Sequence, residues 1–272
     1  MPKYEYQLAP HRLELVDEFP LADLKVHKDA QRMLNSRRAQ KLAEKFIREA
    51  AGGIAVSKRD NGECYIVDGQ HRVHAARLAG ITTLPAEVHH GLTVQGEATL
   101  FLLKNREGAK PGALDEYKVG LTAALPLFTD TEAVLIQRGL RVGSTSTNSI
   151  GAVSGILRIT DQYGPEILAR TLDVAAEAWG RDEGRCWDGT LIGGLGTFLG
   201  RHGEHVDDKA LSAKLAKRGN ATRWIGECNS FASGFGTQQA GGGGRVSACY
   251  KLILAAWNSG RRKTRVPEQI NS

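Results

Sequence analysis

The stretch Tyr65-Ile-Val-Asp-Gly-Gln-His-Arg-Val-His-Ala-Ala-Arg-Leu-Ala-Gly80 constrains the fold more than any other part of this chain. A β-rich run ends at Val67, a turn passes through Asp68 and Gly69, and a helix follows from His71 to Ala79 with Gly80 as its C′ residue. A strand that feeds a helix through so short a turn leaves the first helical amides unpaired and pointing outward. The helix dipole adds partial positive charge at the same place. Gly69 lets a ligand approach the backbone, and His71 and Arg72 can add side-chain donors. Such a turn suits a phosphate or another anion. Asp68 has three open readings: it could cap the helix, orient His71, or hold a magnesium ion beside a nucleotide.

The surrounding pattern is α+β. Leu13 to Leu24 opens in a β-like way, and Ser36 to Ala50 has helical spacing, with Ser36 as a candidate N-cap and Gly52-Gly53 as the stop. Ile54 to Ser57 and Glu63 to Val67 are short β-rich runs joined by a turn containing Asn61-Gly62, a hairpin signal. Thr83 to His89 reads as a further strand, and a helix follows around Glu97 to Asn105. Gly108 to Gly112 reads as a linker. Helices are expected at Leu114 to Leu127, Asp130 to Gln137, Ser149 to Ile159 and Pro165 to Trp179, and a last one at Val246 to Trp257 after a loop at Gly241 to Gly244. These readings divide the chain into residues 1–107, a helical region at 113–180, and a Gly-rich helical region at 181–272.

Asp68-Gly69-Gln70-His71-Arg72, followed by Ala75-Ala76 and Gly80, resembles the signature of the ParB/sulfiredoxin superfamily. The run from Asp29 through Gln31 and Arg32 to Phe46 is similar to that family's first box and helix. Leu78 to Val88 is similar to its closing segment. The resemblance covers roughly residues 15–105 and implies a ParB/sulfiredoxin-like N-terminal domain before a mainly helical region. Chromosome-segregation ParB proteins bind CTP at the equivalent motif, usually Gly-Glu-Arg-Arg. Gln70 stands where they carry an acid and where sulfiredoxins carry Cys, which points away from a CTP clamp and from sulfinic-acid reduction. The Asp-Gly-x-His-Arg form is that of free-serine kinases and of regulators of DNA phosphorothioation.

The resemblance thus implies a nucleoside triphosphate, CTP or ATP with Mg2+, held by Gly69, Gln70, His71, Arg72, Gln31 and Arg32. It also implies DNA as a partner, with homodimers frequent among relatives and many of them on phage or mobile elements. The alternative is an enzyme, an ATP-dependent phosphotransferase, nucleotidase or nuclease, in which Asp68 and His71 would be catalytic. A kinase would also need a carboxylate, for which Glu44 and Asp29 are candidates.

A DNA-reading element is sought in the helical region. Asp130 to Leu140, the break Arg141-Val142-Gly143, and Ser144 to Ile159 together suggest helix, turn, helix. The second helix would begin with Ser144, Thr145, Ser146, Thr147 and Asn148, short polar groups of the kind recognition helices present to phosphates and base edges. Arg138, Arg141 and Arg158 add charge. Two ordinary packed helices with a Ser/Thr cap would give the same pattern.

Charge bears on partners through its placement. Lys and Arg number 36 against 30 Asp and Glu, a formal net charge of +6. Much of the excess sits between Arg32 and Arg48, and a second cluster lies at Arg261 to Arg265, an electrostatic footprint that fits phosphate. A solvated helix face and a solubilising tail explain the same residues. Four separated cysteines, Cys64, Cys186, Cys228 and Cys249, read as reduced thiols of a cytoplasmic protein. No apolar run approaches membrane-spanning length. The pairs His71/His74 and His202/His205 lack a third ligand for zinc, and Gly193-Gly194-Leu-Gly196 lacks the Lys of a P-loop. The four tryptophans, Trp179, Trp187, Trp224 and Trp257, are expected in the C-terminal core.

Overall fold

The computed structural model describes residues 6–105, 112–182, 184–234, 242–260 and 266–267. Most of the expected linker and the basic tail at 261–265 lie outside these residues. The chain is mixed α and β and divides into two compact units, Glu5–Phe128 and Thr129–Ser272. Residues 113–128 therefore pack with the first unit rather than opening a second, and 129–272 is one body without a break at 180.

The first unit carries β1 (Arg12–Pro20), α1 (Ser36–Ala43), α2 (Arg48–Ala51), β2 (Ile54–Lys58), β3 (Cys64–Asp68), α3 (Gln70–Leu78), β4 (Thr83–His90), α4 (Val94–Lys104) and α5 (Ala113–Thr122). The strands form one sheet in the order β1-β4-β2-β3. β1 runs antiparallel to β4, β4 parallel to β2, and β2 antiparallel to β3. The β2–β3 hairpin turns as Asn61-Gly62 foretells: Gly62 takes φ 81°, and its N–H donates to the Arg59 carbonyl at 2.9 Å. Alternation in β4 sends Leu84, Ala86 and Val88 into a core with Ile54, Val56, Ile66, Val73 and Ala76, while Glu87 points the other way to the Nζ of Lys104 on α4. β2, buried from Ile54 to Ser57, lies at the centre between the two faces.

Two expected helices are broken. The Ser36–Ala50 helix stops at Ala43, is capped by the Asn35 side chain rather than by Ser36, and resumes for the single turn of α2. The Leu114–Leu127 helix ends at Thr122. Ala124 takes a left-handed φ of 51°, and Pro126 starts α6 (Pro126–Gln137), as a proline with no N–H to donate readily does.

The second unit contains β5 (Arg141–Val142), β6 (Ser149–Ile150), α7 (Val153–Tyr163), α8 (Pro165–Trp179), α9 (Gly189–His202), α10 (Asp208–Arg218), α11 (Ala221–Gly234) and α12 (Gly242–Asn258). α9 is buried along almost its whole length and packs against α7, α8, α11 and α12. Its glycines make that possible. A Cβ on Gly194 would lie 2.5 Å from Cβ of Cys249, one on Gly196 2.3 Å from Cδ1 of Ile159, and one on Gly200 2.3 Å from the Tyr163 ring. The Gly193–Gly196 run is thus a close helix-packing surface. The loop expected at Gly241–Gly244 gives way to α12, which already includes Gly242. Trp187, Trp224 and Trp257 are almost wholly buried and Trp179 packs against the same core, as expected. No single helix among the described residues is long and apolar enough to cross a membrane.

Candidate functional site

The β3–α3 junction is built around one glycine. Gly69 is the N-cap of α3 with φ 92° and ψ 18°, and a Cβ there would meet Cγ2 of Ile54 at 2.8 Å and Nε of Arg72 at 3.2 Å. Since glycine has no side chain, α3 starts without a side-chain cap, and its first-turn amides face a cavity of about 540 Å3. Asp68 to Arg72 line one wall of it. Gln31, Arg32, Arg38, Lys41 and Leu42 contribute from α1 and the segment before it, and Phe101, Lys104 and Asn105 from the C-terminal end of α4.

The structure brings all six expected nucleotide-binding residues to this cavity but gives several of them internal work. Gln31 is buried, and its Nε2 donates to the carbonyls of Val67 and, at 3.2 Å, Ile66, which ties the segment before α1 to the end of β3. The Nη2 of Arg72 donates to Oδ2 of Asp68 at 2.7 Å, and its Nη1 donates to the carbonyls of Gly53 and, at 3.3 Å, Ala51. Arg72 therefore braces the α2–β2 connection, and Asp68 is the acid that holds it. The readings of Asp68 as a helix cap or a partner of His71 do not hold.

His71 is buried and accepts the backbone N–H of Asn35 on Nε2 at 3.1 Å. Burial, with the positive Arg32 and Arg38 and the neighbouring His74, pushes its pKa down. The neutral ring with Nε2 accepting carries its proton on Nδ1. The Asn35 side chain in turn accepts the Arg38 N–H at 3.0 Å and caps α1. The motif histidine thus fixes where α1 begins, and α1 carries Arg38 and Lys41 into the cavity.

Arg32, Arg38 and Lys41 form no ion pair with any described residue, whereas Arg72 is matched by Asp68 and Lys104 by Glu87. The excess positive charge of the cavity comes from those three side chains and the α3 N-terminus. Sequence reading placed Arg38 and Lys41 in a basic cluster without assigning them to the site, and nothing local marked Phe101, Lys104 and Asn105. Glu44 and Asp29, the candidate kinase carboxylates, do not line the cavity.

The expected helix-turn-helix is not formed. α7 begins at Val153, and Ser144 to Asn148 lie in the connection between β5 and β6, which pair in parallel. The short polar side chains bond to this connection itself. Oγ1 of Thr145 accepts the Gly151 N–H at 3.1 Å, the hydroxyls of Ser146 and Ser149 meet at 3.0 Å, and Ser149 Oγ donates to the Ser144 carbonyl. Thr147 Oγ1 donates to the Asp182 carbonyl at 3.0 Å, and the Asn148 carbonyl accepts the Arg141 N–H at 3.1 Å. Ser, Thr and Asn offer the backbone such alternatives to a helix, and here the alternatives win. Arg138 is held by Asp173 through two bonds of 2.8 and 2.7 Å, Arg158 reaches the Gly193 carbonyl at 3.5 Å, and Arg141 is exposed on β5. These eight residues do not form a recognition-helix surface. Among the described residues no group of three or more His, Cys, Asp or Glu is arranged to hold a metal ion. His202, far from any such role, bonds through Nε2 to the Tyr250 hydroxyl at 3.0 Å.

Comparison with solved structures finds two of the C-terminally truncated chromosome-partitioning protein ParB from Caulobacter crescentus. One, complexed to the centromeric parS site, is 18% identical, with 58% of this chain and 91% of that chain covered and a TM-score of 0.31. The other, complexed with CTP-gamma-S, is 14% identical, with 90% and 99% covered and a TM-score of 0.29. Superposition at that level carries no argument about the fold. No curated protein matches the chain. A family model does, over residues 27–267, from the segment after β1 through α12, and by that match the chain belongs to the family of unknown function DUF6551.

Proposed function

We propose that the cavity at the β3–α3 junction binds the phosphates of a nucleoside triphosphate, CTP or ATP, and that the protein is a nucleotide-dependent DNA-associated protein of the ParB-like kind. The observation that carries the nucleotide part is the meeting of an uncapped helix N-terminus with Arg32, Arg38 and Lys41, three cations without ion-pair partners among the described residues, in one cavity. Backbone amides at a helix start and unpaired cations are complementary to phosphate oxygens, and each loses little by turning to a ligand. Asp68 is the one carboxylate in the described wall. A magnesium ion arriving with the nucleotide would therefore draw most of its ligands from phosphate and water.

The enzymatic alternatives need a carboxylate free to take or direct a proton. Asp68 is ion-paired to Arg72, so the geometry supports binding over catalysis. The DNA part rests on the net charge of +6 and on the basic surface of α1, where Arg37 is exposed beside Arg38 and Lys41, and not on residues 144–148. Affinity for duplex DNA that falls steeply and log-linearly with salt supports it, and salt-independent or absent binding overturns it.

Calorimetry with ATP, CTP and GTP in magnesium, on wild type and on the Arg38→Ala/Lys41→Ala double variant, tests the nucleotide part. Binding by wild type that weakens at least tenfold in the double variant is expected. Absence of binding by wild type to every nucleotide overturns the proposal.

A further inference from the structure

Phosphate binding leaves one atom of the cavity unexplained. The Oε1 of Gln70, in the first turn of α3 and in the cavity wall, is buried and meets no hydrogen-bond donor among the described residues. An acceptor held away from water without a donor is destabilising, and folded proteins keep few of them. A phosphate cannot relieve it, because at neutral pH its terminal oxygens accept hydrogen bonds and do not donate them. Something else in the ligand must bring an N–H or O–H to this point.

We infer that Gln70 is a specificity residue: it selects a ligand that carries a hydrogen-bond donor beside its phosphates, so that the site takes a nucleotide in preference to a bare polyphosphate. This inference rests on the proposed binding of phosphates in the same cavity. The rest of the wall is arranged for such a two-part ligand. Arg32, Arg38 and Lys41 supply positive charge, while Phe101 and Leu42 supply apolar surface on which a sugar or base can lie. In a nucleoside triphosphate the donor is a ribose hydroxyl or an amine of the base, and Gln70 Oε1 accepts from it. A site with a buried acceptor rejects an analogue that lacks the donor, because the acceptor is then left unpaired.

The test is calorimetry on the full chain with inorganic tripolyphosphate, ATP and 2′,3′-dideoxy-ATP, for wild type and Gln70→Met. Methionine keeps the length of the side chain and removes the acceptor. Wild type is expected to bind ATP about tenfold or more tightly than tripolyphosphate, and Gln70→Met to bring the ratio of the two affinities close to one. Since the variant removes an unsatisfied group, its melting temperature without ligand should equal or exceed that of wild type. A fall in melting temperature would mark Gln70 as a structural residue and overturn the inference.

Loss of the advantage in the dideoxy analogue supports it with the ribose as donor, and retention supports it with the base as donor. Equal wild-type affinity for ATP and tripolyphosphate overturns it while leaving the phosphate site standing. So does a ratio that survives Gln70→Met, the result expected if the Gln70 amide turned its nitrogen inward to serve phosphate. Absence of binding to all three ligands overturns the proposed function itself.

Discussion

The Nε2 of His71, in the first turn of α3, accepts the backbone N–H of Asn35 at 3.1 Å, and Asn35 caps α1 with its side chain. One imidazole therefore sets the start of α1, the helix that brings Arg38 and Lys41 to the cavity. The bond requires a neutral ring, and the surroundings enforce it. Burial and the positive charge of Arg32 and Arg38 depress the His71 pKa below its ordinary value.

Acid should loosen this junction. Burial also depresses the pKa of His89, with His11 and Lys104 adding to the effect and Glu87 opposing it, and that of His202, beside Arg201 and His205. A histidine with a lower pKa folded than unfolded binds fewer protons when folded, so its contribution to stability is complete above about pH 6.5 and is lost as pH falls from there through the folded value. The melting temperature is expected to drop between pH 7.5 and 5.5. His71→Gln, which keeps an acceptor but cannot titrate, should have a shallower pH dependence than wild type. An unchanged slope would remove His71 from the account.

Gly69→Ala should be costly in two ways. The residue sits at φ 92°, and the added methyl group would lie 2.8 Å from Ile54 Cγ2. A loss of about 1–3 kcal/mol in denaturant unfolding is expected, together with loss of nucleotide binding as the α3 N-terminus shifts. A Gly69→Ala variant as stable as wild type would show that the junction does not depend on the left-handed conformation.

Arg38 and Arg72 line the same cavity and should separate under mutation. Arg38 has no ion-pair partner among the described residues, so Arg38→Ala should leave stability within about 0.5 kcal/mol while weakening nucleotide binding and its salt dependence. Arg72 bonds to Asp68 and to the carbonyls of Ala51 and Gly53, so Arg72→Ala should cost about 1–3 kcal/mol of stability as well as affinity. Urea titrations of both variants, beside calorimetry, check the contrast.

Two glycines of the second unit make an opposed pair. In α9, Gly196→Ala would press a methyl group to 2.3 Å from Ile159 Cδ1, and overpacking of about 1–3 kcal/mol should exceed the gain in helix propensity. In α11, Gly226 has open space where a Cβ would go, so Gly226→Ala should stabilise by about 0.5–1 kcal/mol. Thermal melting of the two variants in opposite directions is the expected result.

Local sequence determined most elements of this protein. The hairpin at Asn61-Gly62, the Gly69 turn, the Gly80 stop and the Pro165 start each follow from backbone preferences that act within a few residues, and all four appear where those preferences put them. The same is true of the β3–α3 anion-binding turn, whose polar residues are contiguous. Where the sequence reading failed, the deciding interactions lie elsewhere in the chain or compete within it. Ser144 to Asn148 satisfies its hydroxyls in a loop pinned by Asp182 and Trp187, rather than opening a helix. The glycines of α9 read as loop-like alone, but they are helical because α7 and α12 pack onto them at distances only glycine allows. The cavity is likewise a tertiary product. Phe101 and Lys104 reach it from a helix that packs on β3, and Arg72 spends its donors on Asp68, Ala51 and Gly53. Backbone preference acts over a few residues and can be read from their names, whereas the choice of partner for a charge or an amide depends on which distant segments folding brings within about 3 Å.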